Sequence, residues 1–380
     1  MRWTSLSAAG TSTALALAIG GCSSAGGSSP AVDGSTGTAV IRAACSLADP
    51  PSSAVPPPRG TVVGRTRGRV GVLLDGTDSA TGEAPVVATT LTRALDDAGL
   101  TPVLRVTTGD PAGLVAESRA LIDRGVRLLI LDTRDAHTGD RVERVADRAG
   151  VRVIEYDRVN PGGTAGYLVG FDYEDIGMLQ ARTLIDCLAQ QGAGDPRIII
   201  LNGDTDADDN AVLQAKGVHE VLDPLVSAGR ASIVAEASVK GRHATAAAAA
   251  FDLALHASDG RVDAVVAADD VIAGGVLGVL TAAGRQDEVA VTGLGATAGG
   301  LRNIIEGRQT MTVYADPQSE ADAAARLSAA LISGRPQALA AMHLSPFSDP
   351  RSPARGLQAV LLPTRVVTQQ NVGDVPTPEP

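Results

Sequence analysis

The chain has 380 residues, 44% of them hydrophobic and only 2% aromatic, and 43 Asp and Glu outweigh 32 Lys and Arg to leave a net charge of −11. That length accommodates two domains of ordinary size, with cores built from Ala, Val, Leu and Ile. The acidic balance argues against nucleic acid as a partner, because neutralising phosphates requires basic surface.

Residues 1–21 carry one positive charge, Arg2, then a weakly apolar run through Ile19 and two glycines. The run is too short to span a bilayer core and reads as a secretory signal peptide. Ile19-Gly20-Gly21-Cys22 resembles a bacterial lipobox, in which Cys22 accepts the lipid and becomes the mature N-terminus. Residues 22–68 are rich in Ser, Gly, Pro and Ala, cannot bury enough apolar surface to offset their ordering entropy, and read as a disordered tether behind the lipidated Cys. Such a chain places the folded body at the outer face of the cytoplasmic membrane. Cys45 lies in this segment and Cys187 in a helical pattern. In an oxidising compartment they could pair and staple the tether to the body, but burial of Cys187 as a free thiol is the plainer expectation.

From Arg69 strands alternate with helices. Strands are expected at Arg69–Asp75, Thr101–Val106, Arg127–Asp132, Val151–Tyr156 and Gly166–Phe171, with helices over Ala84–Ala98, Pro111–Arg124 and Thr138–Ala149. The alternation implies right-handed βαβ units on a parallel sheet. Asp172 is a candidate N-cap for a long helix through Gln191, with Ile176, Leu179, Leu184 and Leu188 on one face. A second set follows: strands at Arg197–Leu201 and Ser232–Glu236, helices over Gln214–Leu222 and His243–Leu255, and then strand, helix, strand, helix, strand between Arg261 and Pro317. A helix over Ala315–Ile332 and a strand at Leu357–Leu362 return the chain to the first half. The fold class is therefore α/β with two Rossmann-like lobes on parallel sheets: residues 69–170 plus 316–362, and 171–315 plus 363–372, with 373–380 as a disordered tail. Open α/β sheets bind ligands at the carboxyl ends of their strands, so a small molecule is expected in the cleft between the lobes.

Val169-Gly170-Phe171-Asp172 with Gly177-Met178-Leu179-Gln180-Ala181, Ala264-Val265-Val266-Ala267 with Asp270 and Ala273-Gly274-Gly275, and Gln309-Thr310-Met311-Thr312-Val313-Tyr314 resemble the periplasmic sugar-binding proteins of ABC importers, and within them the D-xylose-binding branch. The resemblance covers about Arg69 to Val372 and implies the type I periplasmic-binding-protein architecture. It implies ligand contacts at Asp157 and Arg158, the guanidinium forking onto adjacent hydroxyls, and at Asp209, Asn210 and Asp269. Asp209 and Asp269 stand where the family has Asn. Gly295 and Ala315 stand where it has Asp and Lys, and Ser238 and Arg242 lie where it has Trp. The loop after the first strand supplies no Arg, and Trp3 is the only Trp in the sequence. Loss of aromatic stacking and of several polar contacts points to an altered or lost sugar site.

Other chemistry finds little support. Asp204, Asp206 and Asp208 begin a calcium-like loop, but Asp209 replaces its Gly and Ala215 its closing Glu, so no metal is expected and the run reads as an acidic helix cap. No nucleophile and base arrangement, nucleophile elbow or phosphate loop is found, so neither an enzyme nor a cofactor is expected. The expected function is capture of a monosaccharide or related polyol by a monomeric, lipid-anchored receptor that delivers it to an ABC permease. The alternative is a signalling or interaction lipoprotein that keeps the fold with a changed or lost site.

Overall fold

The computed structural model describes residues 43–45, 47, 51–52, 67–75, 83–107, 110–342, 344–349 and 352–376. Cys22, the signal peptide, most of the proposed tether and residues 377–380 lie outside them. Among the described residues no helix is long and apolar enough to cross a membrane.

The first half builds β1 (Arg69–Asp75), α1 (Glu83–Asp97), β2 (Thr101–Thr107), α2 (Pro111–Asp123), β3 (Leu128–Asp132), α3 (Ala136–Arg148), β4 (Arg152–Tyr156) and β5 (Tyr167–Phe171). β1, β3 and β4 are buried almost throughout. Strands buried on both faces need continuous apolar runs, which explains RVGVLLD and LLILD. The second half builds α4 (Tyr173–Gln190), β6 (Arg197–Asn202), α5 (Asp209–Ser227), β7 (Ser232–Ser238), α6 (Ala244–Ala257), β8 (Ala264–Ala267), α7 (Asp270–Ala282), β9 (Ala290–Val291), α8 (Ala298–Ile305) and β10 (Thr312–Ala315). The chain closes with α9 (Pro317–Ser333), α10 (Pro336–Ala340), β11 (Ser345–Asp349), β12 (Ser352–Leu362) and β13 (Thr364–Val367).

Lobe I is a seven-stranded sheet ordered β11-β12-β5-β4-β3-β1-β2, and lobe II a four-stranded sheet ordered β7-β6-β8-β9. Within these two sheets all pairings are parallel except the β11–β12 hairpin. That hairpin is longer than the single strand expected at Leu357–Leu362. The antiparallel ribbon of β10 and β13 lies where the chain crosses between lobes, at 171–173, 315–317 and 362–364. Residues 372–374 form a short turn and Val375 is buried against Ile304 and Val367, so residues 373–376 do not behave as the expected tail.

Lobe II is fastened by a polar core. Gln180 Nε2 donates to Ala267 O at 3.1 Å and Gly293 O at 2.9 Å, and Gln214 Nε2 donates to Gln180 Oε1 at 2.9 Å and Ala268 O at 2.7 Å. These amides hold α4 and α5 to the carboxyl end of β8, and buried side chains of this kind stay only when satisfied. Gly177 and Gly217 let the two helices touch, because a Cβ on either would collide with a carbonyl oxygen of the other helix. Cys45 and Cys187 form a disulfide, which corrects the free-thiol expectation. The segment around Cys45 docks onto α4, as the burial of Leu47 beside the pair shows.

Candidate functional site

The carboxyl ends of the two sheets face each other, and the side chains that meet there are charged. Arg158 follows β4 and is largely buried. Its Nη1 donates to Asp132 Oδ1 at 2.9 Å and lies 3.5 Å from Asp157 Oδ2, and its Nε lies 3.7 Å from Asp208 Oδ2 in lobe II. The guanidinium's main partner is thus Asp132 at the end of β3, with the neighbouring Asp157 second. Asp157 sits at φ 62°, a left-handed conformation uncommon outside Gly but one that Asp takes more readily than most residues. Tyr173 Oη donates to Asp157 Oδ1 at 2.8 Å.

Lobe II answers from the start of α5. Asp208 is the N-cap, accepting from Asn210 N at 3.0 Å. Asn210 Nδ2 reaches across the cleft to donate to Asp157 O at 3.1 Å. Asp209 heads α5 between them. The helix begins at Asp209, five residues before the expected Gln214, because an Asp cap followed by Asp and Asn reads as a loop. Asp204 accepts from Gly241 N at 3.0 Å and Asp206 is exposed beside Lys240 at 3.5 Å, so the acidic run is split among separate tasks.

Asp269, at the end of β8, does two jobs inside lobe II. Its Oδ1 caps α7 by accepting from Ile272 N at 2.8 Å, and its Oδ2 accepts from Arg242 Nε at 2.6 Å. Both side chains are nearly enclosed, at 3% and 14% exposure. Asp269 therefore holds Arg242, and fewer of its lone pairs are open than a ligand acceptor alone would offer. Arg242 and Gly241 both take positive φ, 52° and 65°, so the loop after β7 is tightly wound at this point.

Electrostatics follow from this crowding. Burial pushes the Asp132 carboxyl up to about 6 despite the Arg158 guanidinium beside it. Burial also acts to raise Asp208, but Arg158, Arg242 and Arg134 together hold it below its ordinary value. Asp208 is thus the point on which charge from both lobes converges. Beneath Asp132 and Asp157, burial raises the Glu320 carboxyl and the Tyr156 hydroxyl well above their ordinary values.

Of the five positions expected from the sequence, Asp157 and Asn210 are hydrogen-bonded across the cleft, Arg158 approaches Asp208 across it, Asp209 heads α5, and Asp269 is held within lobe II at the end of β8. Asp132, Asp208, Tyr173 and Glu320 were missed, although the first three stand at a strand end or helix start. Among the described residues no group of three or more His, Cys, Asp or Glu side chains is placed to hold a metal ion.

Residues 71–336 match the family described as periplasmic binding protein domain. The D-xylose-binding periplasmic protein of Haemophilus influenzae is 32% identical over 223 residues, 59% of this chain and 65% of that protein. Its Escherichia coli counterpart is 32% identical over 227 residues, 60% of this chain and 67% of that protein. The chain thus matches just under two thirds of the Haemophilus relative's length. Among solved structures, an ABC transporter solute binding protein from Clostridium phytofermentans with bound β-D-glucose superposes with a TM-score of 0.71 at 23% identity, covering 80% of this chain and 95% of that one. At that identity the likeness speaks for the fold, which is the two-lobed type I architecture.

Proposed function

The chain belongs to the periplasmic binding protein domain family, and from that premise we propose that it is an extracytoplasmic receptor that takes a monosaccharide or related polyol into the interlobe cleft. The observation that carries this reading is the meeting of Arg158, Asp157, Asp208 and Asn210 at the facing carboxyl ends of the two sheets. Alternating donors and acceptors suit vicinal hydroxyls, each of which donates and accepts. The relatives named for D-xylose binding support a sugar-type ligand. Ser238 at the end of β7 and Arg242 in the loop after it argue that affinity rests on hydrogen bonds more than on ring stacking.

The Cys45–Cys187 disulfide fits an oxidising compartment outside the cytoplasm. Cys22 is the proposed lipidation site that keeps the receptor at the outer face of the membrane, and an ABC permease is the proposed recipient of the ligand. Closing of the lobes on the ligand is the proposed signal to it.

A second reading is a signalling or interaction lipoprotein. It is favoured by one observation: Arg158 and Asp269 already have protein partners at 2.9 and 2.6 Å. A thermal-shift screen of pentoses, hexoses, inositols and alditols separates the two. Stabilisation by a member of the panel supports the receptor, and failure of every member supports the second reading.

A further inference from the structure

The described residues 43–47 touch lobe II, and residues 51–52 touch the ribbon at the crossing. Ala43 N donates to Asp287 O at 3.1 Å, Cys45 is bonded to Cys187, and Leu47 is buried beside that disulfide. Gln191 Nε2 lies 3.5 Å from Ala44 O. Farther on, Val366 N donates to Pro51 O at 3.0 Å and Ser52 bridges to Arg365 in β13. Asp287, Cys187 and Gln191 all belong to lobe II, and β13 belongs to the ribbon at the crossing.

The place on lobe II is also defined. Cys187 lies in the last turn of α4, whose first residue, Tyr173, is at the cleft. At ~1.5 Å per residue the disulfide is about 20 Å down the helix from the site. Asp287 precedes β9, at the amino-terminal edge of the sheet whose carboxyl edge faces the cleft. The two contacts, one a helix length and the other a sheet height from the cleft, thus put residues 43–45 at the far pole of lobe II.

We propose that the Cys45–Cys187 disulfide makes lobe II the carrier lobe, fixing the N-terminal segment to the pole opposite the cleft so that an anchor upstream of residue 43 holds lobe II and leaves lobe I to move. The carrier assignment stands on the contacts above, and its membrane consequence rests on the proposed lipidation of Cys22. Without the disulfide the segment has a few backbone hydrogen bonds and little apolar surface, too little to keep it docked. In a receptor whose lobes close on a ligand, this arrangement makes lobe I the travelling jaw.

Pulsed electron resonance on the full chain tests this, with spin-labelled non-natural residues at exposed position 44 and at exposed Arg230 of lobe II or Arg148 of lobe I. The 44–230 distance is expected to be narrow in the native protein and at least twice as broad in the Cys45→Ser, Cys187→Ser variant. Deuterium exchange at residues 43–47 should rise at least tenfold in that variant while β1 and β3 keep their rates, which shows that the body remains folded. A 44–230 distribution as broad as 44–148 in the native protein, or one unchanged by the double substitution, overturns the assignment. Intact-mass analysis of membrane-extracted protein decides the anchor separately. A diacylglyceryl mass at Cys22 supports the membrane consequence, and its absence overturns that half while the distances still decide the carrier lobe.

Discussion

Arg158 of lobe I and Asp208 of lobe II approach across the cleft to 3.7 Å, Nε to Oδ2, without a hydrogen bond between them. The pair is therefore a Coulombic contact between the two lobes, which on the proposed function separate to admit a ligand. Asp132 and Asp269 extend it on either side, so that −, +, −, + and − alternate through Asp132, Arg158, Asp208, Arg242 and Asp269.

Replacing Arg158 with Ala strips the shared partner from Asp132, Asp157 and Asp208. Breaking a buried ion pair from one side costs about 3–5 kcal/mol, and urea unfolding should show a loss of that size. Asp208→Asn keeps the helix cap, since Asn caps as well as Asp, and loses only the charge. It should cost about 1 kcal/mol or less, and a cost equal to that of Arg158→Ala would show that Asp208, not Asp132, is the main partner.

The carboxyls of Asp132 and Asp270 contribute to the pH dependence in the mildly acidic range. Both are pushed up to about 6 by burial from an ordinary value of 3.8. Between those values the native state holds protons that the unfolded chain has released, so stability should fall as pH rises from about 4 to about 6. Asp208, held low, acts in the opposite sense, and its contribution is lost only below pH 4. Urea midpoints at pH 4.5, 5.5 and 6.5 measure the slope, and a rise across this range would contradict the assignment.

Glu320 offers a cleaner test, because it is 4% exposed and faces Asp132, Asp157, Tyr156 and Arg158. Its carboxyl is raised well above 4.5 by burial first and then by Asp157 and Asp132, so it keeps its proton in the native state where the unfolded chain loses it. Glu320→Gln carries the neutral form permanently. The variant should lose part of the decline in stability above pH 5 and unfold at a higher urea concentration than the native protein at pH 8. Parallel pH profiles would mean that Glu320 is ionised in the fold.

Gly217→Ala should destabilise lobe II despite the roughly 1 kcal/mol that Ala gains over Gly in a helix. A Cβ there collides with the carbonyl oxygen of Glu174, so α4 and α5 must part, at a cost of about 1–3 kcal/mol. Thermal unfolding with an unchanged or higher midpoint would show that the helices give way freely.

The sequence already displayed the α/β alternation, and β1 and the Asp172 cap stand where its pattern places them. Continuous apolar strands and Asp caps are local signals, and local signals survive without coordinates. The Arg158–Asp132 bond joins residues 26 apart and the disulfide joins residues 142 apart, so neither leaves a periodic trace. Cys45 was obscured further by its Ser- and Pro-rich surroundings, which read as unstructured. Arg242 was visible as a departure from the family, but its tie to Asp269 depends on how the loops after β7 and β8 pack. β11 was missed because SPFSD carries little apolar pattern and is held by its partner β12.

Isothermal titration calorimetry of the full chain with D-xylose, D-glucose, myo-inositol and xylitol, repeated on Asn210→Ala, tests whether the interlobe cleft takes a sugar or polyol. Asn210 spans the cleft with a single hydrogen bond, worth about 1 kcal/mol, so its loss should weaken binding about fivefold or more while the fold persists. Saturable binding of at least one of these ligands by the native protein, and that weakening in the variant, are expected. Absence of heat from all four, or binding that Asn210→Ala leaves unchanged, would contradict the proposed function.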